Sequence, residues 1–181
     1  MPTAFLLRRL LPIKSGFWLC CVLVLGFAES ALAANAEAPA WVTVGKGSYK
    51  RLFWQVYDAR LEALQPQFSF PDTTPYALTL VYKLDLDADD LLDNTLAEWK
   101  KQKLVWQPAW VTALQQYLPN VKEGDSLRLE VNADHSAVFL YNGKPIVTFS
   151  DPEFVNAFVG IWLSEKTDNL TLRRQLLGLQ K

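Results

Sequence analysis

The chain has 181 residues with 18 basic and 19 acidic side chains, one histidine and two cysteines. Half of the residues are hydrophobic, enough to bury a core, and the near-zero net charge leaves no basic excess to attract nucleic acid. Both cysteines, Cys20 and Cys21, lie near the N-terminus, so the rest of the chain can use neither disulfides nor thiol chemistry.

Arg8, Arg9 and Lys14 precede an apolar run from Phe17 to Ala28, and Ala31-Leu32-Ala33 follows as a small-x-small site. These are the parts of a secretory signal peptide, residues 1–33, cleaved near Ala33. The run is shorter than the roughly 20 residues of an ordinary membrane span. Trp18-Leu19 ahead of the cysteines is bulky where a lipoprotein signal needs small residues. The expected product is a periplasmic or secreted protein without a membrane span. It loses Arg8, Arg9, Lys14 and Glu29, and so keeps 15 basic and 18 acidic groups, a formal charge of −3. Its remaining 148 residues and six tryptophans fit one domain, residues 41–181, after a flexible leader at 34–40.

Trp41 to Val44 reads as a first strand, ended by a turn or bulge at Gly45-Lys46-Gly47. Tyr49 to Leu61 reads as a longer second strand with apolar groups on both faces, hence central and partly covered on each side. Gln65 to Pro75, with three prolines, is a loop. Tyr76 to Leu86 alternates as a third strand. Asp87, Asp89 and Asp90 open a helix that runs to about Lys101, with Leu92, Leu96 and Trp99 inward and lysines at its C-terminal end. A second helix runs from Pro108 to Leu118 and is stopped by Pro119.

After Gly124-Asp125, Leu127, Leu129 and Val131 alternate with charged residues as a strand with one wet face. Asn142-Gly143 joins Ala137–Tyr141 to Ile146–Phe149 as an antiparallel hairpin. Ser150-Asp151-Pro152-Glu153 has capping-box spacing, and Phe154, Phe158, Ile161 and Trp162 form one apolar stripe on the helix that follows. Thr167 or Asp168 caps a last short helix, Leu170 to Leu177, closed by Gly178. The order predicts an α+β fold, an antiparallel sheet with helices gathered on one face.

Groups that could carry chemistry are few. His135 sits beside Asp134 in a turn, with no second ligand at metal-binding spacing. Asp87, Asp89 and Asp90 lack the glycine and glutamate of a calcium loop and read as helix capping. No phosphate-binding loop, dinucleotide fingerprint or nucleophile elbow is present. Lys50, Arg51, Tyr57, Asp58 and Arg60 are the densest mixture of polar and aromatic groups, and Asp58 or Glu62 can pair with Arg60 at the surface. Trp99, Trp106, Trp110 and Tyr117 line either a pocket between helices and sheet or simply the core.

Gly45-x-Gly47, Val56-Tyr57-Asp58-Ala59-x-Leu61, Gly124-Asp125, Tyr141-Asn142-Gly143, Asp151-Pro152-x-Phe154 and Ile161-Trp162-Leu163, in this order, resemble the bacterial chalcone isomerase-like proteins over about Val44 to Gly178. The resemblance implies an open-faced β-sandwich with a cleft between sheet and helices, and no cofactor. Plant chalcone isomerases bind substrate and stabilise an enolate with an arginine, threonines, a tyrosine and an asparagine. Laid on that pattern, Leu52 and Ile161 stand at the threonine positions, Leu91 at the tyrosine and Glu98 at the asparagine. Lys46, Lys50 and Arg51 are candidates for the arginine. With donors replaced by hydrocarbon, enolate stabilisation worth about 3 kcal/mol per donor is absent.

The non-catalytic branch of the family holds a fatty acid with a basic residue and a tyrosine. The leading expectation is therefore a non-catalytic holder of an amphipathic acid, with Arg51 and Tyr57 at the head group and Lys50 and Tyr82 as further ligand-facing candidates. The alternatives are an isomerase or intramolecular lyase on another substrate, and an envelope accessory that binds another protein.

Overall fold

The structure, a computed structural model, describes residues 40–179. The expected signal peptide, and all of the leader except Ala40, lie outside the described residues. Six strands form one antiparallel meander in chain order: β1 (Val42–Arg51), β2 (Trp54–Ala63), β3 (Tyr76–Tyr82), β4 (Ser126–Val131), β5 (Ala137–Tyr141) and β6 (Lys144–Phe149). Helices α1 (Ala88–Lys101) and α2 (Pro108–Tyr117) interrupt it after β3, and α3 (Pro152–Leu163) and α4 (Leu170–Leu176) follow it. The result is an α+β open sheet with its helices against one face, consistent with an open-faced β-sandwich.

Strand alternation decides which face the helices cover. Ala59, Leu61, Leu78, Leu80, Leu127, Leu129 and Phe139 are nearly inaccessible, and they fall opposite one another in register across β2, β3, β4 and β5. The other face is polar and holds a charged network. Arg128 reaches Glu62, Glu130 at 2.7 Å and Thr79 at 2.8 Å, while its guanidinium lies 5.5 Å from the Trp41 ring centre. Arg60 pairs with Glu62 at 3.4 Å, and Asp58 pairs instead with Lys83 at 3.0 Å. This network, with no second layer over it among the described residues, accounts for the covered look of both faces of β2.

The N-terminal third corrects the sequence reading. β1 continues through Gly45 and Gly47 without the turn that would end it, though the register shift between Thr43 and Gly45 is consistent with the bulge alternative. The chain reverses at Leu52-Phe53, between Arg51 and Trp54, so the expected strand from Tyr49 to Leu61 is two strands of a hairpin. Gly45 and Gly47 serve close packing. A Cβ on Gly45 would lie 2.0 Å from the carbonyl oxygen of Gln175, and one on Gly47 would lie 2.7 Å from a Leu172 methyl. Only bare backbone lets α4 settle onto β1.

The rest keeps the expected elements and departs from them in some of the ends and caps. β3 ends at Tyr82, and Leu86 makes an isolated bridge to Val121. Asp87 caps α1, and its N–H donates to Asp90 at 3.4 Å. Asn142 and Gly143 both have positive φ, as the tight hairpin requires. The α3 cap is Asp151 rather than Ser150: its carboxylate accepts from the N–H groups of Glu153 and Phe154 at 3.0 and 3.3 Å and from Trp110 Nε1 at 2.8 Å. Asn169, one residue beyond the expected pair, caps α4 by accepting from Leu172 N–H at 2.9 Å. From Phe154 to Leu163 every residue of α3 but Asn156 is buried, so this helix is enclosed rather than striped.

Trp99 sits at the centre of the helix layer with no exposure. Its Nε1 donates to the Ala157 carbonyl at 2.9 Å, and Trp106, Trp110 and Phe154 surround its ring. Trp99, Trp106 and Trp110 pack in this core, Tyr117 meets Phe149 edge-on at 6.4 Å, and none of the four is among the residues lining the cavity described below.

Candidate functional site

Between the sheet, α1 and the second half of α3 lies a cavity of about 570 Å³. Its floor is the β2–β3–β4 surface, where Tyr57, Leu80, Tyr82 and Leu127 project inward because they share the buried register. α1 contributes Leu91, Thr95 and Glu98, and α3 contributes Phe158, Ile161 and Trp162. These residues recur at one-turn spacing on each helix, so one face of each points into the space. The exposed lining residues are Arg51, Leu52 and Trp54 at the β1–β2 hairpin, which we call the mouth, and Asn94, Lys101 and Asp168 on the helix side.

Several polar groups in the wall are already satisfied. Thr95 Oγ donates to the Leu91 carbonyl at 2.8 Å and Thr167 Oγ to that of Ile161 at 2.7 Å. Lys101 holds Glu98 at 2.7 Å and Asp168 at 2.9 Å, and these two carboxylates, Glu98 first, keep its ammonium above the usual lysine range. The groups that can meet a ligand include three tyrosines, Tyr49, Tyr57 and Tyr82, and one arginine, Arg51. Tyr57 stacks on Tyr49 with ring centres 5.1 Å apart and meets Tyr82 edge-on at 6.0 Å.

The Tyr57 hydroxyl accepts from Trp162 Nε1 at 2.9 Å, which leaves its own proton free to donate. Burial pushes this phenol well above the ordinary tyrosine range, outweighing the lowering effect of the Trp162 bond, and burial alone does the same to Tyr82. Both stay protonated donors at any physiological pH. Arg51 stands exposed at the mouth.

Of the four residues singled out from the sequence, Arg51, Tyr57 and Tyr82 therefore line one cavity. Lys50 is exposed and is not among the lining residues. Leu52, Leu91, Glu98 and Ile161, aligned to the donors of catalytic relatives, all border the same space. Three present hydrocarbon and the fourth a carboxylate tied to a lysine, so nothing in this group can donate to an enolate oxygen. The sequence reading missed the Trp162–Tyr57 bond, which joins groups 105 residues apart, and the Glu98–Lys101–Asp168 cluster. His135 lies in the β4–β5 turn with φ of 63° and is not among the lining residues.

The Leu52-Phe53 turn is unusual in itself. Leu52 has φ of 55° at the first position of a two-residue turn, where glycine is favoured, at a cost of roughly 1–2 kcal/mol for a side chain with a Cβ. Leu52, Phe53 and Trp54 are 87%, 97% and 73% exposed, so no burial among the described residues offsets that cost.

A sequence profile of the family described as chalcone isomerase-like matches residues 71–178, from the loop before β3 to the end of α4. The β1–β2 hairpin precedes the matched segment. No curated protein matches the chain in sequence. Among solved structures, the crystal structure of an Arabidopsis thaliana fatty-acid binding protein superposes with a TM-score of 0.59 at 10% identity, covering 77% of this chain and 88% of that one. At that identity the likeness is one of fold.

Proposed function

The chain belongs to the chalcone isomerase-like family, and from that premise we propose that it is an exported, non-catalytic protein that holds an amphipathic acid of the fatty-acid class between its sheet and helices. The observation that carries the reading is the cavity. Its volume of about 570 Å³ falls within the range of roughly 300–1,000 Å³ for small-molecule sites, and its interior is largely hydrocarbon. A tail buried there gains about 0.8 kcal/mol per methylene. The Tyr57 hydroxyl, oriented by Trp162, and the Arg51 guanidinium are the donors suited to a carboxylate. The Arabidopsis structure of the same fold is that of a fatty-acid binding protein, which supports the same class of ligand.

The wall supports the non-catalytic reading. Leu52, Leu91 and Ile161 supply no hydrogen bond to a developing oxyanion, and Lys101 already occupies Glu98. Export is inferred from the segment at residues 1–33. Native mass spectrometry of protein purified from its own host tests the reading. The expected spectrum carries a co-purifying long-chain acid in one-to-one ratio, lost when Leu91→Trp fills the cavity. Repeated absence of any adduct, together with turnover of chalcones or related enones, would replace the holder with an enzyme.

A further inference from the structure

The β1–β2 hairpin carries a feature that ligand holding alone does not account for. Three consecutive large apolar side chains, Leu52, Phe53 and Trp54, project from its tip, with Phe53 almost wholly in water. Lys50 and Arg51 precede them, both exposed and neither in an ion pair among the described residues. Leu52 and Trp54 also border the cavity mouth, so whatever receives the tip stands at the entrance.

From this juxtaposition we propose that the Leu52-Phe53-Trp54 tip inserts into the interfacial region of an anionic lipid surface, with Lys50 and Arg51 against its headgroups and the cavity mouth facing the bilayer. Shape and charge choose this occupant over a second copy of the chain. The tip is narrow and convex, and two aromatic side chains and a leucine bury only about 500 Å² when fully covered, below the roughly 800 Å² per partner of a stable protein interface. An apolar aromatic point flanked by cations is instead the pattern of a segment that enters a headgroup region. With the processed chain at a formal charge of −3, attraction to an anionic surface can only be local to the tip. Docking rests on the tip alone; its use in loading the cavity rests on the reading given above.

The test is vesicle flotation with the full chain as its host processes it, compared with variants in the same form so that any contribution of residues 1–39 is common to all. Vesicles are phosphatidylcholine alone or an equal mixture with phosphatidylglycerol. Wild type is expected to float with the mixed vesicles, the double variant Phe53→Ser/Trp54→Ser to partition about tenfold less or weaker, and Lys50→Gln/Arg51→Gln to lose the preference for phosphatidylglycerol. Val105→Ser, which removes an apolar side chain 92% exposed in the α1–α2 connection, is expected to float like wild type. Equal flotation of wild type and Phe53→Ser/Trp54→Ser overturns the proposal. So does a wild-type dimer in vesicle-free solution that this variant dissociates. Binding of a fluorescent fatty acid in vesicle-free solution separates the two readings. Flotation without acid binding refutes the holder and leaves docking intact, and acid binding without flotation does the reverse.

Discussion

Replacing Gly45 with alanine is expected to destabilise the protein, although the same change at an unstrained glycine normally stabilises by about 0.4–1 kcal/mol through the unfolded state. Gly45 does not have positive φ, so backbone freedom alone predicts a gain. The contacts predict the reverse. The new Cβ would stand 2.0 Å from the Gln175 carbonyl oxygen and 2.5 Å from that of Leu176, both backbone atoms of α4 that no rotamer can move aside. Relief requires α4 to lift by about 1 Å or more, loosening Leu172 and Leu176, now 2% and 0% exposed. Burying each side chain is worth about 1.5–3 kcal/mol, so partial exposure of both costs about 2–3 kcal/mol, within the usual range for overpacking.

Gly160→Ala is the matched control. In α3 its Cβ would meet Ser164 Cβ at 3.7 Å and the edge of Phe70 at 4.0 Å, ordinary contacts, so helix propensity predicts a gain of about 0.5–1 kcal/mol. Urea unfolding followed by tryptophan fluorescence reads both, as opposite shifts in midpoint at unchanged slope. A neutral or stabilising Gly45→Ala would mean that α4 does not rest on β1, and the wall that Leu172 gives the cavity would go with it.

Tyr57→Phe is expected to weaken binding of a long-chain acid about tenfold or more, because it removes a buried donor to a charged group, as read by titration with a fluorescent fatty acid. Arg51→Gln, at an exposed site, should weaken it only about threefold, and raising the ionic strength should shrink that difference. Trp99→Phe should cost about 1–3 kcal/mol of stability, through its bond to Ala157 and its packing, while leaving the acid's Kd unchanged because the ring does not line the cavity. Asp58 is held below the usual carboxylate range first by the Ser48 hydroxyl at 2.6 Å, then by Lys83 and Gln55. A lowered folded pKa contributes stability that is present above the unfolded value and lost as pH falls through the folded one. Ser48→Ala should therefore move the Asp58 titration, followed by carboxyl NMR, back toward the ordinary range and bring acid unfolding to a higher pH.

Much of the fold was legible because its cues are local. The alternation of Leu127, Leu129 and Val131, the Asn142-Gly143 turn and the acidic start of α1 each set an element from neighbouring residues alone. The errors fell where adjacent residues compete or distant ones decide. Ser150 and Asp151 are both good caps, as are Thr167, Asp168 and Asn169, and only backbone geometry selects among them. The Leu52-Phe53 turn contains none of the residues that normally mark a reversal, so its apolar run read as strand. Gly45 and Gly47 looked like turn or bulge residues because the helix they accommodate lies about 130 residues further on. Core and cavity wall draw on the same side chains, so nothing in the sequence could separate Trp99, which is core, from Trp162, which orients Tyr57.

The central claim, that the sheet–helix cavity holds an amphipathic acid and performs no chemistry on it, is tested most directly by titrating delipidated protein and its Leu91→Trp variant with a fluorescent long-chain fatty acid and then analysing the recovered ligand. The account predicts saturable one-to-one binding to the wild type, loss of binding when Leu91→Trp fills the cavity, and return of the acid chemically unchanged. Equal binding by the two proteins, or recovery of a converted product, would contradict it.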